Sequence, residues 1–376
     1  MTKNILIVAG EVSGDIHAAS LVKNLKELSP ELSFFGMGGK NMSREGVEIV
    51  MGIENLAIIG VWEIISKLPH IREAFQKIHR RVLAGKPDLA ILVDYPGFNL
   101  RLAKGLKKQN IPVVYYITPQ VWAWGAFRTK GMKKSIDKAI TIFPFEETFL
   151  KSRGIDATFA GHPLMDAVKT SKLDRIAIGL DEKKLTIAIL PGSREREVKI
   201  MLLPMIKACE IIASRLNAQF VLLRNSSVCD SLYDSTLKKS SLPVTSIKDD
   251  TYGCLGLSDF VFTSSGTATL EAAIMEKPML IIYKTSFFTA ILFKIFARTP
   301  FIGLVNIIAG KKISPEILQY DATPKRLAQE ILDILSSEEK KGKQVEDLRK
   351  VKKLLGPPGA PKRAARVILD FISRLR

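Results

Sequence analysis

Residues 185–198 read LTIAILPGSREREV, an apolar run halted by Pro191-Gly192 and followed by a charged segment. A continuous apolar run marks a strand buried on both faces, and a helix after it returns the chain for a parallel neighbour. The unit recurs on both sides. Upstream lie NILIVAG (4–10), LSFFGMGG (32–39), DLAILVDYPGFN (88–99), PVVYYITPQVWAW (112–124), KAITIFPFE (138–146) and ATFAGHPL (157–164). Downstream lie QFVLLRNS (219–226), LPVTSIKDD (242–250), SDFVFTSSGT (258–267) and KPMLIIYKTS (277–286). The pattern stops and restarts across the charged, non-periodic stretch 169–184. The expected fold is therefore α/β, with two doubly wound Rossmann-like domains in tandem over 1–168 and 169–350. A separate tail, 351–376, carries GPPGAP (356–361) and then a helix with Ala365, Ile368, Leu369 and Ile372 on one face. That face suits a return onto the first domain or onto a partner subunit.

Composition narrows the class. In 376 residues, 56 Lys and Arg oppose 38 Asp and Glu, a net charge of +18, while 47% of the chain is hydrophobic. That is a folded globular composition with an excess of cations to place. Cys209, Cys229 and Cys254 stand far apart with no CxxC pair, which fits a reducing cytoplasm and neither a disulfide framework nor a zinc ribbon. His17, His70, His79 and His162 lack metal spacing, and the acids form no paired cluster, so neither metal nor cofactor is expected. For His162, in AGHPLMDA, a structural hydrogen bond is the expected role. The N-terminal apolar run is too short for a signal peptide, and no stretch reaches the roughly 18 apolar residues of a spanning helix.

In open α/β sheets, ligands bind beyond the C-terminal ends of the strands, so those turns carry the chemistry. Gly10 and Gly14 in AGEVSGD (9–15) permit close backbone approach, and the turn reads equally as a binding loop or a tight strand–helix connection. It is not GxGxxG, and no acid follows the second strand, which disfavours a dinucleotide. Asp94 follows its strand directly and is a candidate general base or, alternatively, a helix cap. Trp122 and Trp124 in the loop after the next strand suit stacking on a ring or plugging an interface. Gly192, Ser193 and Arg194 offer N–H groups and a guanidinium to a phosphate. Ser264, Ser265, Gly266, Thr267, Ala268 and Thr269 open a helix, with Glu271 placed to accept ribose hydroxyls. Each cluster alone also reads as an ordinary cap; together they favour a nucleoside diphosphate.

The charge has a pattern as well. Residues 277–315 contain no acid yet interleave Lys284, Lys294, Arg298, Lys311 and Lys312 with Phe287, Phe288, Phe293, Phe296 and Phe301. Basic residues among aromatics suit an anionic bilayer surface, so Phe287, Phe288, Phe293, Lys294, Phe296 and Arg298 are the expected membrane rim. A second stripe runs through Ile64, Leu68, Ile71, Phe75, Ile78 and Val82 and reads equally as a core-facing helix with a solvated basic back. No nucleic-acid motif accompanies the charge.

In this order, AGEVSGD, VDYPGFN, TPQVWAWGAFR, GHPLMDA, LPGSREREV, SSGTATLE and LVNIIAGKK resemble the lipid-A-disaccharide synthases. The resemblance implies a GT-B fold with its active site in an interdomain cleft, without a metal. The implied reaction joins UDP-2,3-diacylglucosamine to 2,3-diacylglucosamine 1-phosphate (lipid X), releasing UDP. It implies work as a peripheral enzyme on the cytoplasmic face of the inner membrane, often as a homodimer. The family's first-turn acid falls on Glu11, beside Ser13 and Gly14 as substrate contacts. Its essential aspartate falls on Asp94, its GSR arginine on Arg194, its ribose glutamate on Glu271, and a substrate asparagine on Asn306. Some relatives carry a second acid where this chain has Gly97, which favours Asp94 as the base here. The rival readings are another GT-B UDP-sugar enzyme, namely a UDP-GlcNAc epimerase or peptidoglycan N-acetylglucosaminyltransferase, and a basic lipid- or nucleic-acid-binding module.

Overall fold

The computed structural model describes residues 3–53, 61–168, 173–284 and 299–375, with backbone only for 61–68 and Trp124. The chain divides into two units: unit 1 is Met1–Met165 with Leu355–Arg376, and unit 2 is Asp166–Leu354.

Unit 1 is built on a parallel sheet of β1 (Asn4–Ala9), β2 (Ser33–Gly38), β3 (Glu48–Gly52), β4 (Leu89–Val93), β5 (Val113–Tyr116), β6 (Lys138–Thr141) and β7 (Ala157–Phe159). The strand order is β3-β2-β1-β4-β5-β6-β7. The order reverses direction at β1 and β4, which pair from Ile5 with Leu89 to Ala9 with Val93. Alternate residues of β1 feed opposite faces. Leu6 and Val8 pack under α3 (Val61–Ala84) and α4 (Pro96–Lys108). Ile5, Ile7 and Ala9 face α1 (Val12–Leu28) and the C-terminal helix Ala360–Arg374. Ile71, Phe75, Ile78 and Val82 of the α3 stripe all pack on this core.

The C-terminal helix completes unit 1. Ala364, Ala365, Ile368 and Ile372 are buried against Leu21, Val22 and Leu25 of α1. Arg363 fastens its start by donating to the carbonyls of Ala160 at 2.8 Å, Pro358 at 2.8 Å and Pro357 at 2.6 Å. The glycines of GPPGAP both take left-handed φ, Gly356 at 81° and Gly359 at 93°, which lets the chain turn twice within four residues.

Unit 2 repeats the plan with β8 (Leu185–Leu190), β9 (Ala218–Arg224), β10 (Val244–Lys248), β11 (Phe260–Ser264), β12 (Met279–Tyr283) and β13 (Glu316–Leu318). Its order is β10-β9-β8-β11-β12-β13, again parallel, and the reversal falls at β8 and β11. The core packs Val198, Leu202 and Ile206 of α9 (Glu195–Ala213) with Leu327 and Ile331 of helix Pro324–Leu335. Helix Glu338–Leu354 belongs to this unit, so unit 2 continues past residue 350.

If the C-terminal helix is part of the unit 1 core, Ile368→Ala lowers stability by about 2–5 kcal/mol, the range for a fully buried branched residue. Urea unfolding of the full chain reads this directly; an unchanged midpoint means the helix is an accessory.

Candidate active site

Each sheet reverses direction beside its two motif-bearing turns. In unit 1 the turns after β1 and β4 carry Glu11 and Asp94. In unit 2 the turns after β8 and β11 carry Arg194 and Gly266. At such switch points the flanking helices leave on opposite faces, and a crevice opens at the strand ends.

Asp94 stands on unusual backbone. Asp94 and Tyr95 both adopt left-handed φ, 47° and 48°, a conformation that non-glycine residues rarely take. The Asp94 carbonyl accepts from Tyr115 Oη at 2.6 Å and Asn99 Nδ2 at 2.7 Å, while its N–H donates to the Tyr116 carbonyl at 3.1 Å. Asn99 also donates to the Val93 carbonyl at 3.1 Å, so one buried amide fixes the strand end and the turn. Pro96 then starts α4 at the position where a missing N–H costs nothing. The Tyr95 ring lies over Gly10; a Cβ there would come within 2.0 Å of it. Gly10 is thus required by the Asp94 turn.

Burial pushes the Asp94 carboxyl up to about 6, and the negative charge of Glu11 adds to the rise. Glu11 is exposed at the start of α1, where its side chain makes no capping hydrogen bond. The Asp of the same motif does something else. Asp15 is buried and accepts from the N–H groups of Gly39 (2.7 Å), Asn41 (3.0 Å) and Met42 (3.1 Å), so it holds the turn after β2.

A third carboxyl enters from α7 (Pro144–Lys151). Glu146 is buried, accepts from Trp122 Nε1 at 2.9 Å and from the Phe143 N–H at 3.4 Å, and is pushed up to about 8, chiefly by burial. The charge of Asp94 contributes to that rise. Trp122 is held at one edge by Glu146 and packs edge-on against Phe145, with centroids 4.9 Å apart. Its position is fixed by unit 1 alone. Burial pushes His162 down to about 3, helped by the charge of His17, so it is neutral. Its Nδ1 accepts from the Leu164 N–H at 3.2 Å and its backbone N–H donates to the Leu355 carbonyl at 2.8 Å.

In unit 2, Arg194 is largely exposed and pairs with Glu197 at 3.2 Å. Glu197 also accepts from the Ser193 N–H at 3.2 Å, and its carboxylate lies beside Gly192, whose φ is 119°. One carboxylate therefore engages the two groups that the sequence offers to a phosphate. In the turn after β11, two of the hydroxyls bond backbone carbonyls. Thr269 Oγ1 donates to the Gly266 carbonyl at 2.8 Å and Ser265 Oγ to the Ile302 carbonyl at 3.1 Å. What this turn presents is the backbone from Gly266 to the start of α12 (Ala268–Ile274), together with the exposed Thr267. Burial raises Glu271, and Tyr252 from α11 (Thr251–Leu257) donates its hydroxyl to that carboxyl.

Asn306, the expected substrate asparagine, is held within its own segment. It is fully buried, donating to the Ser314 carbonyl at 2.8 Å and to Glu316 at 2.7 Å. It also accepts from the N–H groups of Ile313 (2.8 Å) and Ser314 (2.9 Å). An amide with both donors and its acceptor occupied has little left for a ligand. Glu316 in turn accepts from Ile302 (3.0 Å) and Gly303 (2.8 Å), bracing the segment behind Ser265. The expected rim residues Phe287, Phe288, Phe293, Lys294, Phe296 and Arg298 lie outside the described residues. Among the described residues no helix is long and apolar enough to cross a membrane.

Comparison with known proteins fits these turns to one family. The family model described as lipid-A-disaccharide synthetase matches residues 5–366. The lipid-A-disaccharide synthase of Syntrophus aciditrophicus is 40% identical, covering 99% of this chain and 99% of that protein. That of Geobacter metallireducens is 37% identical over 100% of this chain and 98% of its own. Among solved structures, a putative UDP-N-acetylglucosamine 2-epimerase from Listeria monocytogenes has TM-score 0.65 at 16% identity, covering 99% and 96% of the two chains. The calicheamicin glycosyltransferase CalG4 has TM-score 0.62 at 12% identity, covering 99% of each. At such identities the structural likeness carries the GT-B fold alone, whereas the sequence match spans every motif turn described above: the chain belongs to the lipid-A-disaccharide synthase family.

Proposed function

We propose that Asp94 is the general base of a glycosyl transfer in which a UDP-activated diacylglucosamine donor meets a diacylglucosamine 1-phosphate acceptor. The acceptor 6-hydroxyl attacks the anomeric carbon of the donor. The new O–C bond forms as the bond to the β-phosphate oxygen breaks, UDP leaves, and the hydroxyl proton passes to Asp94. One displacement inverts the anomeric centre and gives the β-1,6 disaccharide 1-phosphate.

The observation that carries this reading is the Asp94 turn. Its carboxyl is held at a strand end by two side-chain hydrogen bonds to its own carbonyl, and its raised pKa matches a base working near neutrality. Glu11 keeps Asp94 basic by its charge and is suited to meet the acceptor at the start of α1. Fixed N–H dipoles at Gly266–Ala268 and the Arg194 guanidinium take up the charge of the departing diphosphate, with Arg194 leaving Glu197 to do so. Glu271, steadied by Tyr252, suits the ribose hydroxyls. Trp122, locked by Glu146, offers a flat wall near the base. Val12 and Ile16, 64% and 52% exposed beside Glu11, suit an acylated substrate better than water. Peripheral attachment to the anionic inner-membrane surface accounts for the charge of +18.

Asp94→Asn lowers kcat by about 10²–10⁴-fold with folding intact; near-normal turnover overturns the assignment. In the parent, kcat/KM falls as pH drops below about 6, because the base is then protonated. Glu11→Gln moves that limb to lower pH by removing the neighbouring negative charge.

The same shift has a stability consequence. The folded pKa of Asp94 lies above that of an unfolded aspartate, so the folded state binds more protons in the window from about 4 to 6. Stability is lost there as pH rises. Asp94→Asn does not titrate, so its melting-temperature advantage over the parent should grow from pH 4 to 6 and then level off. An advantage independent of pH contradicts a buried, charged Asp94.

A further inference from the structure

On the outer side of unit 1, α3 and α4 leave a cavity of about 280 Å³ that no role above uses. Its walls are Phe75, Ile78 and Val82 from α3 and Leu102, Gly105 and Leu106 from α4. We propose that this groove binds an acyl chain of the acceptor glycolipid; the inference rests on the transferase reading above and adds where one of its chains goes.

Gly105 is the first argument. It lies inside a helix, where glycine is among the least favourable residues, and it has no left-handed φ to justify it. Nor does packing require it: a Cβ built on Gly105 meets nothing within 4 Å. What the missing side chain does is keep the groove open.

Continuity with the reaction turn is the second. The Phe75 ring stacks on Phe98 at 4.1 Å between centroids, and Phe98 lies 6.0 Å from Tyr95, the neighbour of Asp94. Packed apolar rings thus connect the Asp94 turn to the wall of the groove. From Arg101 to Gln109, α4 rises about 12 Å, so the groove accepts something long and thin. Helices pack at 8–10 Å between axes and are themselves 10–12 Å wide, so a furrow of this volume between two neighbouring helices does not admit a third. An extended hydrocarbon fits. Arg101 and His79 stand at the rim, where a polar end can remain in water.

The test compares Gly105→Ala and Gly105→Leu with the parent, on acceptors whose acyl chains are long or truncated. Gly342→Ala, another helical glycine with open space around it, controls for helix propensity. Each buried methylene is worth about fourfold in affinity, or about 0.8 kcal/mol. Gly105→Leu should therefore raise KM for the long-chain acceptor by about tenfold or more, leave the short-chain acceptor unchanged, and not lower the melting temperature. Gly105→Ala should do the same to a smaller degree. A long-chain acceptor with a terminal diazirine should label peptides 75–82 and 101–109 of the parent, which reads the site even if a variant folds poorly. Equal effects on long and short acceptors, labelling elsewhere, or labelling of these peptides only by a diazirine phosphatidylglycerol in vesicles would overturn the proposal. A parent inactive on both acceptors would instead strike at the transferase reading.

Discussion

Two successive left-handed residues, Asp94 and Tyr95, set the terms for unit 1. Each non-glycine residue in that region costs on the order of 1–2 kcal/mol, and the cost is met by its neighbours. Asn99 and Tyr115 grip the Asp94 carbonyl, Pro96 starts the helix that follows, and Gly10 clears room for the Tyr95 ring. Two motifs far apart in sequence, AGEVSGD and VDYPGFN, are therefore halves of one device that holds a carboxyl at the end of β4. Ile117, left-handed at φ 60° after β5, extends the same irregular edge.

Much of this was legible in the sequence, for a physical reason. Strands buried on both faces must be apolar throughout, so β1, β4, β8 and β11 announce themselves, and the turns after them are where ligands bind in such sheets. β3 and β13 escaped because they are short edge strands, partly exposed, with Glu48 and Glu316 at their starts. Side chains that act through a distant partner were equally silent. Glu146 gains its meaning from Trp122 24 residues away, Tyr252 from Glu271, and Glu316 from the segment at 302–303. The hydrogen bonds by which Asn306 locks its own loop were silent for a related reason: a motif position signals that a residue matters, but not which neighbours it holds. Asp15 is a second such lock.

The two units divide the electrostatic work unequally. Unit 1 gathers Asp94, Glu11 and Glu146 around one set of strand ends, and burial raises the first and last of these. His162 in the same unit is kept neutral by its burial. This environment suits taking a proton from a neutral hydroxyl. Unit 2 presents backbone N–H groups and an exposed arginine, which suit an accumulating negative charge. Glu197 meanwhile satisfies the arginine and the Ser193 N–H.

The most direct measurement of the central claim is the stereochemistry of the product. Incubating the protein with UDP-2,3-diacylglucosamine and 2,3-diacylglucosamine 1-phosphate, then assigning the new anomeric centre by NMR, reports whether one displacement has occurred. The account predicts a β-1,6 linkage formed in step with one UDP released per disaccharide. An α linkage, or donor consumed without any disaccharide, would contradict it.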